Sequence, residues 1–414
     1  MRVKGFVLFA LSLILAGTAW AATETVIYNF SNYTGDAAYP QSGLVADSDG
    51  NLYGTTEYGG GNNLGAVFEL KLSSGTWTES LLYSFAGGTT DGEYPYYSAL
   101  VFDKSGNIYG TTVYGGTENA GTVFELTPSG GGNYTETILH SFLSYAESDG
   151  SYPQAALSID SSGNIFGTTQ SGGKYNNGTI FEFTPSGKTW KYKLIHSFDS
   201  TDGGAYYPYG GITQGADGYY YGTTEYGGYA YNAGTIYRMF LEKSGWSVQN
   251  VFYFLEGGDG IYPLTSLTID PTGNLYGTTY AGGSGEACGG GCGTVYKMTL
   301  GKTNKYTQSV IYSFQGSYKD GINPYYGADL AIDASGNLYG TTQTGGSTDN
   351  EGIVFELTPK KGTYKETVLH AFEDSSGDDG YYPRGGPILV NGKVYGTTYS
   401  GGTHGTGIVY EITP

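Results

Sequence analysis

Tyr109-Gly110-Thr111-Thr112 decides the fold, because a Tyr/Phe-Gly-Thr-Thr segment occurs seven times along the chain. The glycine of this segment stands at Gly54, Gly110, Gly167, Gly222, Gly277, Gly340 and Gly396. Successive copies are 56, 57, 55, 55, 63 and 56 residues apart. A period of this length indicates a repeat architecture rather than two or three unrelated domains.

Each repeat contains four short strand patterns separated by turns rich in Gly, Asn and Asp. In the second repeat we assign strand a to residues 98–102, strand b to 107–112, strand c to 121–127 and strand d to 135–142. Four antiparallel strands in about 50 residues, repeated around a ring, are typical of a propeller blade. The sequence therefore predicts an all-β fold, a seven-bladed β-propeller.

The two ends of the repeat region complement each other. Residues 24–30 have the pattern of a strand d, and residues 407–412, at the other end, have the pattern of a strand c. An unpaired strand edge at the seam, where the last blade meets the first, would promote aggregation. We therefore expect the N-terminal strand to complete the last blade.

Residues 1–21 are predicted to be a signal peptide. Arg2 and Lys4 precede an apolar run over residues 6–16, and Ala19-Trp20-Ala21 offers small residues for cleavage. The apolar run is shorter than the roughly 20 residues of a membrane span. We expect residues 22–414 to form the single propeller and to be exported, to the periplasm or beyond the cell.

Charge excludes several classes of partner. Without residues 1–21 the chain has 17 basic and 38 acidic residues, a net charge of −21. Such a field repels phosphate backbones and anionic lipids, so nucleic acid and membrane surfaces are not expected partners. We expect a monomer.

The repeat unit resembles the GloVer tandem-repeat family of exported bacterial proteins. The resemblance lies in Gly121-Thr122-Val123-Phe124-Glu125-Leu126-Thr127-Pro128, Leu139-His140-Ser141-Phe142 and Asp149-Gly150-Ser151-Tyr152-Pro153, followed by the Gly167 segment. It covers essentially the whole chain after residue 21. It implies export and a propeller-like architecture, and it implies no catalytic residues.

Histidines and acidic residues recur at fixed repeat positions. His140, His196 and His370 share one strand d position, which holds Tyr or Phe in the other blades, so we interpret it as an aromatic packing site. Strand c carries a carboxylate at Glu69, Glu125, Glu182, Glu356 and Glu411. Arg238 and Lys297 stand at the same position in two blades, so we interpret it as a solvated rim.

Cys288 and Cys292 are the only cysteines, with three residues between them in a lengthened loop. Export to an oxidising compartment favours a disulfide between them, and too few His and Cys residues are near for a zinc site. Asp47-Ser48-Asp49-Gly50 resembles the start of a calcium-binding loop of the EF-hand type. The twelfth position of such a loop is a glutamate, whereas this chain has Tyr58 there. We interpret this segment as a turn. No cofactor is expected, although the sequence leaves calcium binding open.

The residue after the proline of each Asp-Gly-x-Tyr-Pro segment is expected to lie at the channel mouth. The connections from strand d to a and from b to c should emerge on one face, which we call the loop face. Strand a itself should begin with small pairs such as Gly327-Ala328. The positions after proline differ from blade to blade: Gln41, Tyr96, Gln154, Tyr209, Leu264, Tyr325 and Arg384.

Two interpretations of these positions stay open: they plug the channel, or they bind a ligand. Tyrosine, glutamine and arginine suit a sugar, including an acidic sugar that meets Arg384. His404, alone in a Gly-rich loop, is a further candidate ligand-binding residue.

Three functions remain open from the sequence. The favoured hypothesis is a binding module for polar extracellular ligands, above all glycans, acting through the loop face. The alternatives are a polysaccharide lyase or hydrolase at the channel mouth and a surface scaffold for protein partners. No catalytic residues are assigned, because the repeats offer equivalent positions rather than one asymmetric acid/base pair.

Overall fold

The computed structural model describes residues 22–31, 35–143, 149–201, 204–228, 231–255, 257–301, 305–317, 320–373 and 377–414. These residues form seven four-stranded antiparallel sheets, arranged as the blades of a β-propeller. The described part of the chain contains no helix of the length and apolarity that a membrane span requires. The predicted signal peptide, residues 1–21, lies outside the described residues.

The predicted order of strands a to d is confirmed in every blade. The innermost strands a are short: Val45–Ala46, Val101–Phe102, Ser158–Ile159, Thr213–Gln214, Thr268–Ile269, Ala331–Ile332 and Ile388–Val390. Strands b follow as Leu52–Gly59, Ile108–Thr112, Ile165–Thr169, Tyr220–Thr224, Leu275–Thr279, Leu338–Thr342 and Lys393–Thr398. Strands c are Ala66–Ser73, Thr122–Gly130, Thr179–Ser186, Thr235–Glu242, Thr294–Leu300, Ile353–Lys360 and Ile408–Thr413. The outermost strands d are Thr76–Ser84, Asn133–Ser141, Thr189–Ser197, Gly245–Tyr253, Tyr306–Ser313, Thr363–Ala371 and Thr23–Asn29.

Short pairings on the loop face join the d-to-a connection of each blade to its b-to-c connection. Gly92–Glu93 pairs with Tyr114–Gly115 in blade two, and five other blades repeat this pairing as short strands or single bridges. In blade one, Ala37–Pro40 pairs with the end of strand b. The two long connections of every blade therefore emerge on one face, as the sequence predicts.

The Tyr-Gly-Thr-Thr segment recurs because each of its positions has a fixed structural task. A Cβ added at Gly110 would lie 2.5 Å from the ring of Phe124, so only glycine leaves room for that strand c ring. The Thr111 hydroxyl donates to the carbonyl of Pro153 in the next blade, at 3.3 Å. The Thr112 hydroxyl donates to the carbonyl of Tyr114, at 2.9 Å. The segment thus fixes a blade internally and joins it to its neighbour.

The hydrophobic core lies between the blades rather than at the axis. At the junction of blades one and two, Phe85 of the first blade packs with Leu100, Ile108 and Phe124 of the second, all at most 1% exposed. Six further clusters fill the other junctions in the same way. Burial between neighbours makes each blade dependent on the next.

The seam is closed by the predicted strand. Thr23–Asn29 pairs antiparallel with Ile408–Thr413, and this completes blade seven. Phe30 is fully buried against Phe68 of blade one, with ring centroids 5.1 Å apart. The junction between blades seven and one is therefore built like the other six.

The a-to-b segments are turns, and in blade one the turn interpretation of Asp47 is confirmed. The Asp47 carboxylate accepts hydrogen bonds from the amides of Asp49 and Asn51, both at 2.9 Å, and from the hydroxyl of Tyr53 at 3.0 Å. These are the bonds of an aspartate-capped turn. The Asp47 oxygens are thus used within the turn itself.

The strand c glutamates are half-buried or buried and make hydrogen bonds within the protein, which corrects the interpretation of a fully solvated rim. Glu69 is half-buried and accepts a hydrogen bond from the strand b hydroxyl of Tyr53 at 2.8 Å, and Glu125 accepts one from Tyr109 at 2.9 Å. Where the charge is reversed, Lys297 lies over the ring of Tyr276 instead, 5.3 Å from its centroid. Glutamate and lysine can both stand beside the strand b tyrosine, because the tyrosine offers a hydroxyl donor to the carboxylate and an aromatic face to the ammonium group.

The strand d histidines pack against aromatic rings, as expected, and two of them, His140 and His370, also bind an aspartate. The His140 ring lies edge-on to Phe142, with centroids 4.8 Å apart, and its Nε2 lies 2.8 Å from the carboxylate of Asp149. In blade one the strand d hydroxyl of Tyr83 donates to Asp91 at 2.9 Å. Histidine and tyrosine interchange here because both bring a polar atom to the aspartate that caps the following turn.

Three strand d glutamates, each with a buried carboxylate oxygen, should make the protein less stable as pH rises. Glu79, Glu136 and Glu366 of strand d each have one carboxylate oxygen that is buried and finds no hydrogen-bond partner within the described ranges. Burial, together with a neighbouring aspartate, raises the pKa of these carboxyls to about 8, about 7 and about 8. The protonated form is therefore favoured in the folded protein.

We expect the melting temperature to fall by several degrees from pH 5 to pH 8. A raised folded pKa contributes stability that is complete below about 4.5, the ordinary value, and is lost as pH rises through about 7 to 8. His196, whose pKa is lowered by burial, opposes this trend as a single group. The triple variant Glu79→Gln, Glu136→Gln, Glu366→Gln should melt higher at pH 8 and lose most of the slope, and Gln308 already occupies this position in blade five. Thermal melts showing an unchanged slope in the variant would contradict the assignment.

Candidate functional site

The polypeptide enters the channel mouth in a strained conformation in every blade. The residue before the proline has a positive φ throughout, for example 57° at Tyr94 and 61° at Tyr262. Left-handed backbone is unfavourable for a tyrosine, and a following proline makes it more so. The conformation is held by a hydrogen bond to the preceding blade, such as that from the amide of Tyr94 to the carbonyl of Leu64 at 2.8 Å.

Blades two and six contain extra residues just after this proline, and this corrects the predicted register. Pairing of Val101 with Tyr109 and of Ala331 with Tyr339 shows one extra residue in blade two and two in blade six. The position equivalent to Gln41 is therefore occupied by Tyr97 and Gly327, not by Tyr96 and Tyr325. The small pair predicted at Gly327-Ala328 is also displaced by one residue, to Ala328 and Asp329.

The extra residues let tyrosine rings cross the axis. Tyr97 of blade two lies 5.5 Å from Tyr326 of blade six, and Tyr326 lies 4.4 Å from Tyr209 of blade four, measured between ring centroids. A Cβ on Gly327 would lie 3.2 Å from the carbonyl of Tyr97, so glycine lets the two chains approach. This row of three rings, here called the axial plug, closes the channel, and Tyr209 is the only predicted site residue in it.

A polar group lies on one side of the axial plug. The Arg384 guanidinium donates to the side-chain oxygen of Gln41 at 2.7 Å, and it lies 3.9 Å from the centroid of the Tyr399 ring. Gln41 in turn donates to Glu57. Burial raises the pKa of Glu57, while hydrogen bonds and the charge of Arg384 oppose this shift. The Arg384 guanidinium thus contacts an amide oxygen and an aromatic ring, and it interacts electrostatically with Glu57.

A second polar group lies near the other end of the plug. The Gln154 amide donates to the side-chain oxygen of Gln170 at 3.0 Å, and Gln170 donates to the hydroxyl of Tyr209. Glu225 is 8% exposed, and burial raises the pKa of its carboxyl to about 7. This group therefore offers amide donors, acceptors and a carboxyl that is close to half-protonated at neutral pH.

The sequence did not lead us to the strand b residues that take part in the two polar groups. Glu57, Gln170, Glu225 and Tyr399 each follow a Tyr/Phe-Gly-Thr-Thr segment directly, at a position that varies between blades as the post-proline position does. That variation was the available signal. Together the residues form what we call the mouth cluster: Gln41, Glu57, Tyr96, Gln154, Gln170, Tyr209, Glu225, Tyr325, Arg384 and Tyr399.

The remaining predicted residues take different places. Tyr96 and Tyr325 are half-buried beside the plug, with centroids 4.8 Å from Tyr97 and 4.6 Å from Tyr326, respectively. His404 is exposed in the b-to-c connection of blade seven, next to Thr403, whose amide donates to Asn29 of the outermost strand at 2.9 Å. His404 thus lies at the outer rim and is not brought to the mouth.

A cavity of about 340 Å³ lies below the plug, lined by strands a of blades one, two, six and seven. Asp329 lines it and accepts a hydrogen bond from the amide of Ser266 at 2.7 Å. Burial raises the pKa of Asp329 to about 6. The tyrosines of the plug separate this cavity from the loop face.

Metal ligands and cysteines lie away from the mouth. In the described part of the chain, Glu24, His370 and Asp379 bring potential ligand atoms within 4.8 Å of one another at the junction of blades six and seven. His370 already pairs with Asp379 at 3.1 Å. A disulfide joins Cys288 to Cys292 in the b-to-c connection of blade five.

The repeat and the fold both have known counterparts. A family model described as the Gloeobacter/Verrucomicrobia repeat matches residues 12–228, 80–289 and 204–410. No curated protein sequence shows significant similarity to the chain.

Solved structures share the architecture at low identity. A candidate 6-phosphogluconolactonase from Bacteroides uniformis is 16% identical, with a TM-score of 0.52 over 86% of this chain and 89% of that chain. An ulvan lyase of a new polysaccharide lyase family, bound to -[GlcA(1-4)Rha3S]-, is 11% identical, with a TM-score of 0.52 over 92% and 95% of the two chains. A protein of unknown function from Dyadobacter fermentans is 13% identical, with a TM-score of 0.47 over 95% and 98%. At these identities the likeness to the two structures with a TM-score of 0.52 supports the fold alone.

Proposed function

We propose that this chain, which belongs to the Gloeobacter/Verrucomicrobia repeat family, is an exported binding module that holds polar glycans at the mouth cluster of its loop face. The observation that carries the proposal is the chemistry of that cluster. Amides, carboxylates, tyrosine hydroxyls and aromatic rings meet there on one rigid frame. Sugars need this combination, because each ring has apolar C–H faces and polar hydroxyl edges.

The contacts favour a neutral sugar over an acidic one. Arg384, the only cation in the mouth cluster, is already bound to Gln41 and stacked on Tyr399. Glu57 adds negative charge beside it, Glu225 lies toward the other end of the plug, and the chain as a whole is strongly acidic. A sugar carboxylate would meet repulsion there, whereas hydroxyl groups would find acceptors.

Binding without turnover is the expected behaviour. Glu57 acts electrostatically on Tyr97, whereas Glu225 acts on Tyr209 and Tyr326, so the two mouth carboxylates lie toward different ends of the axial plug. Glycoside hydrolysis requires two carboxyls about 5 to 9.5 Å apart on either side of one bond. This placement supports the proposal that the mouth holds a sugar without hydrolysing it.

A panel of polysaccharides tests the proposal. Purified residues 22–414 are titrated with neutral glucans, mannans and xylans and with acidic alginate and polygalacturonate, with and without a chelator. We expect micromolar to millimolar binding to at least one neutral glycan, no release of reducing ends and no effect of the chelator. Absence of binding to every member, or turnover of any member, would contradict the proposal.

A further inference from the structure

A row of six tyrosine rings crosses the loop face beside the mouth cluster. In spatial order these are Tyr399, Tyr39, Tyr58, Tyr94, Tyr114 and Tyr152, here called the tyrosine arc, and each ring centroid lies 5.2–6.2 Å from the next. All six side chains are only partly buried. The arc runs from blade seven through blades one and two to blade three.

The arc joins the mouth cluster at two points. At one end the guanidinium of Arg384 lies over Tyr399. In the middle, burial raises the pKa of Tyr96 of the mouth cluster, and a hydrogen bond that it shares with Tyr114 adds to this shift. A molecule held at the mouth would therefore continue onto the arc without crossing open solvent.

The fold does not require tyrosine at the strand b positions of the arc. Tyr58 and Tyr114 follow the Tyr-Gly-Thr-Thr segment by two residues, where four other blades have small side chains in the same backbone pairing: Ser171, Ala281, Thr344 and Ser400. Tyr226 of blade four is the third tyrosine at this position, and it lies outside the arc. A shorter row of Tyr207, Tyr226 and Tyr262 lies in blades four and five, with ring centroids 6.0 and 5.3 Å apart, so the arc is the longer row on this face.

The other arc tyrosines are held rigidly at an energetic cost. Tyr39, Tyr94 and Tyr152 have φ values of 60°, 57° and 57°, and their amides donate to the preceding blade at 2.8–2.9 Å. Asparagine tolerates this conformation better than tyrosine, and Asn323 occupies the position in blade six. Rigid rings lose little entropy when a ligand stacks on them.

Ring orientation alternates along the arc. Tyr39 and Tyr58 are inclined at 83°, Tyr58 and Tyr94 at 66°, and Tyr94 and Tyr114 at 87°. Flat faces and hydroxyl-bearing edges therefore follow one another at intervals of about one hexose. Each sugar of an extended glycan presents both an apolar face and polar edges, so successive sugars can meet a ring face and a hydroxyl along the arc.

We infer that the tyrosine arc is an extended subsite for several consecutive units of a neutral polysaccharide whose neighbouring unit occupies the mouth cluster. This inference rests on the proposed function and adds the ligand's form: an extended chain rather than a single sugar or a compact end group. The hydroxyls of Tyr58 and Tyr399 hydrogen-bond Glu57, so the arc presents acceptors and no cation beyond Arg384. A polyanion finds no counter-charge along it.

The experiment uses cello-oligosaccharides from the disaccharide to the hexasaccharide, titrated calorimetrically into residues 22–414. We expect the affinity to rise about tenfold or more over the series. The variant Tyr58→Ser, Tyr114→Ser, which introduces the residue found in blades three and seven, should bind the hexasaccharide no better than the disaccharide. The matched control Tyr226→Ser removes a tyrosine from the same strand position outside the arc, together with its hydrogen bond to Glu225, and should keep the rise of affinity with chain length.

Each contrary outcome has a separate meaning. Equal affinity for every chain length, with binding retained, would overturn the inference and leave the mouth as the binding site. Absence of binding to the whole series and to the neutral polysaccharide panel would overturn both. A dimer seen by sedimentation that the double variant converts to monomer, or an equal loss in Tyr226→Ser, would assign the arc to another task and overturn the inference.

Discussion

Removal of residues 22–31 should abolish cooperative folding at 37 °C. The deletion takes away the outer strand of blade seven and the fully buried ring of Phe30, and it exposes strand c to solvent. Burial of a single phenylalanine contributes about 1.5–3 kcal/mol, and a whole domain is stable by about 5–15 kcal/mol. Circular dichroism and calorimetry of the purified variant should show no sharp thermal transition.

A permuted chain provides the matched control. Thr23 pairs with Thr413, so the strand can be reattached after Pro414. A four-residue linker copied from residues 186–189 of blade three spans the same turn there. A chain that begins at residue 35 and ends in this linker and residues 22–31 should recover the melting temperature of the intact protein. A deletion variant that melts like the intact protein would show that the seam does not depend on this strand.

Removal of the mouth hydroxyls should reduce glycan affinity by about a hundredfold or more. The variant Tyr96→Ala, Tyr209→Phe, Tyr325→Phe loses one ring and three hydroxyls. Buried polar partners left unpaired cost about 1–3 kcal/mol each, and 1.4 kcal/mol is tenfold in affinity. Titration of the variant with the neutral glycan that binds best measures the loss.

Phenylalanine at two of these positions keeps the axial plug intact. The rings of Tyr209 and Tyr325 pack on Tyr326, with centroids 4.4 and 4.6 Å apart. Alanine at these positions would open the channel, and a loss of stability could then not be separated from a loss of binding. The melting temperature should therefore change by only a few degrees. Unchanged affinity in a folded variant would show that these tyrosines only close the channel.

Blade number, strand order and closure were predictable because they follow from the repeat itself. The period of the Gly110 segment sets the number of blades, and the patterns of residues 24–30 and 407–412 can pair only with each other. Local turn chemistry was equally readable, as at Asp47. These features depend on short-range chemistry that the sequence repeats seven times.

In two blades, the residue that we predicted to reach the channel axis is one position away from the residue that does so. Counting from the proline identified Tyr96 and Tyr325, whereas the rings that cross the axis belong to Tyr97 and Tyr326. A signal was present: the proline stands 14 residues before the motif glycine in four blades, but 15 at Pro95 and 16 at Pro324. Extra residues at the axis change which side chain reaches the centre, although they leave the repeat intact.

The tyrosine arc could not be predicted, because it exists only between blades. Tyr58 lies in strand b of blade one and Tyr94 in the d-to-a connection of blade two, yet their rings lie 5.5 Å apart. The same limit hid the hydrogen bonds from Tyr53 to Glu69 and the pairing of His140 with Asp149. Side chains that meet across strands or junctions require the three-dimensional register of the ring.

A crystal structure of residues 22–414 soaked with cellohexaose shows directly whether the mouth cluster and the tyrosine arc bind one extended glycan. We expect sugar density on the loop face, with one unit against Gln154, Tyr96 or Arg384 and the following units over Tyr58 and Tyr114. Density confined to the cavity beside Asp329, to the face of the a-to-b turns or to the outer rim at His404 would contradict it.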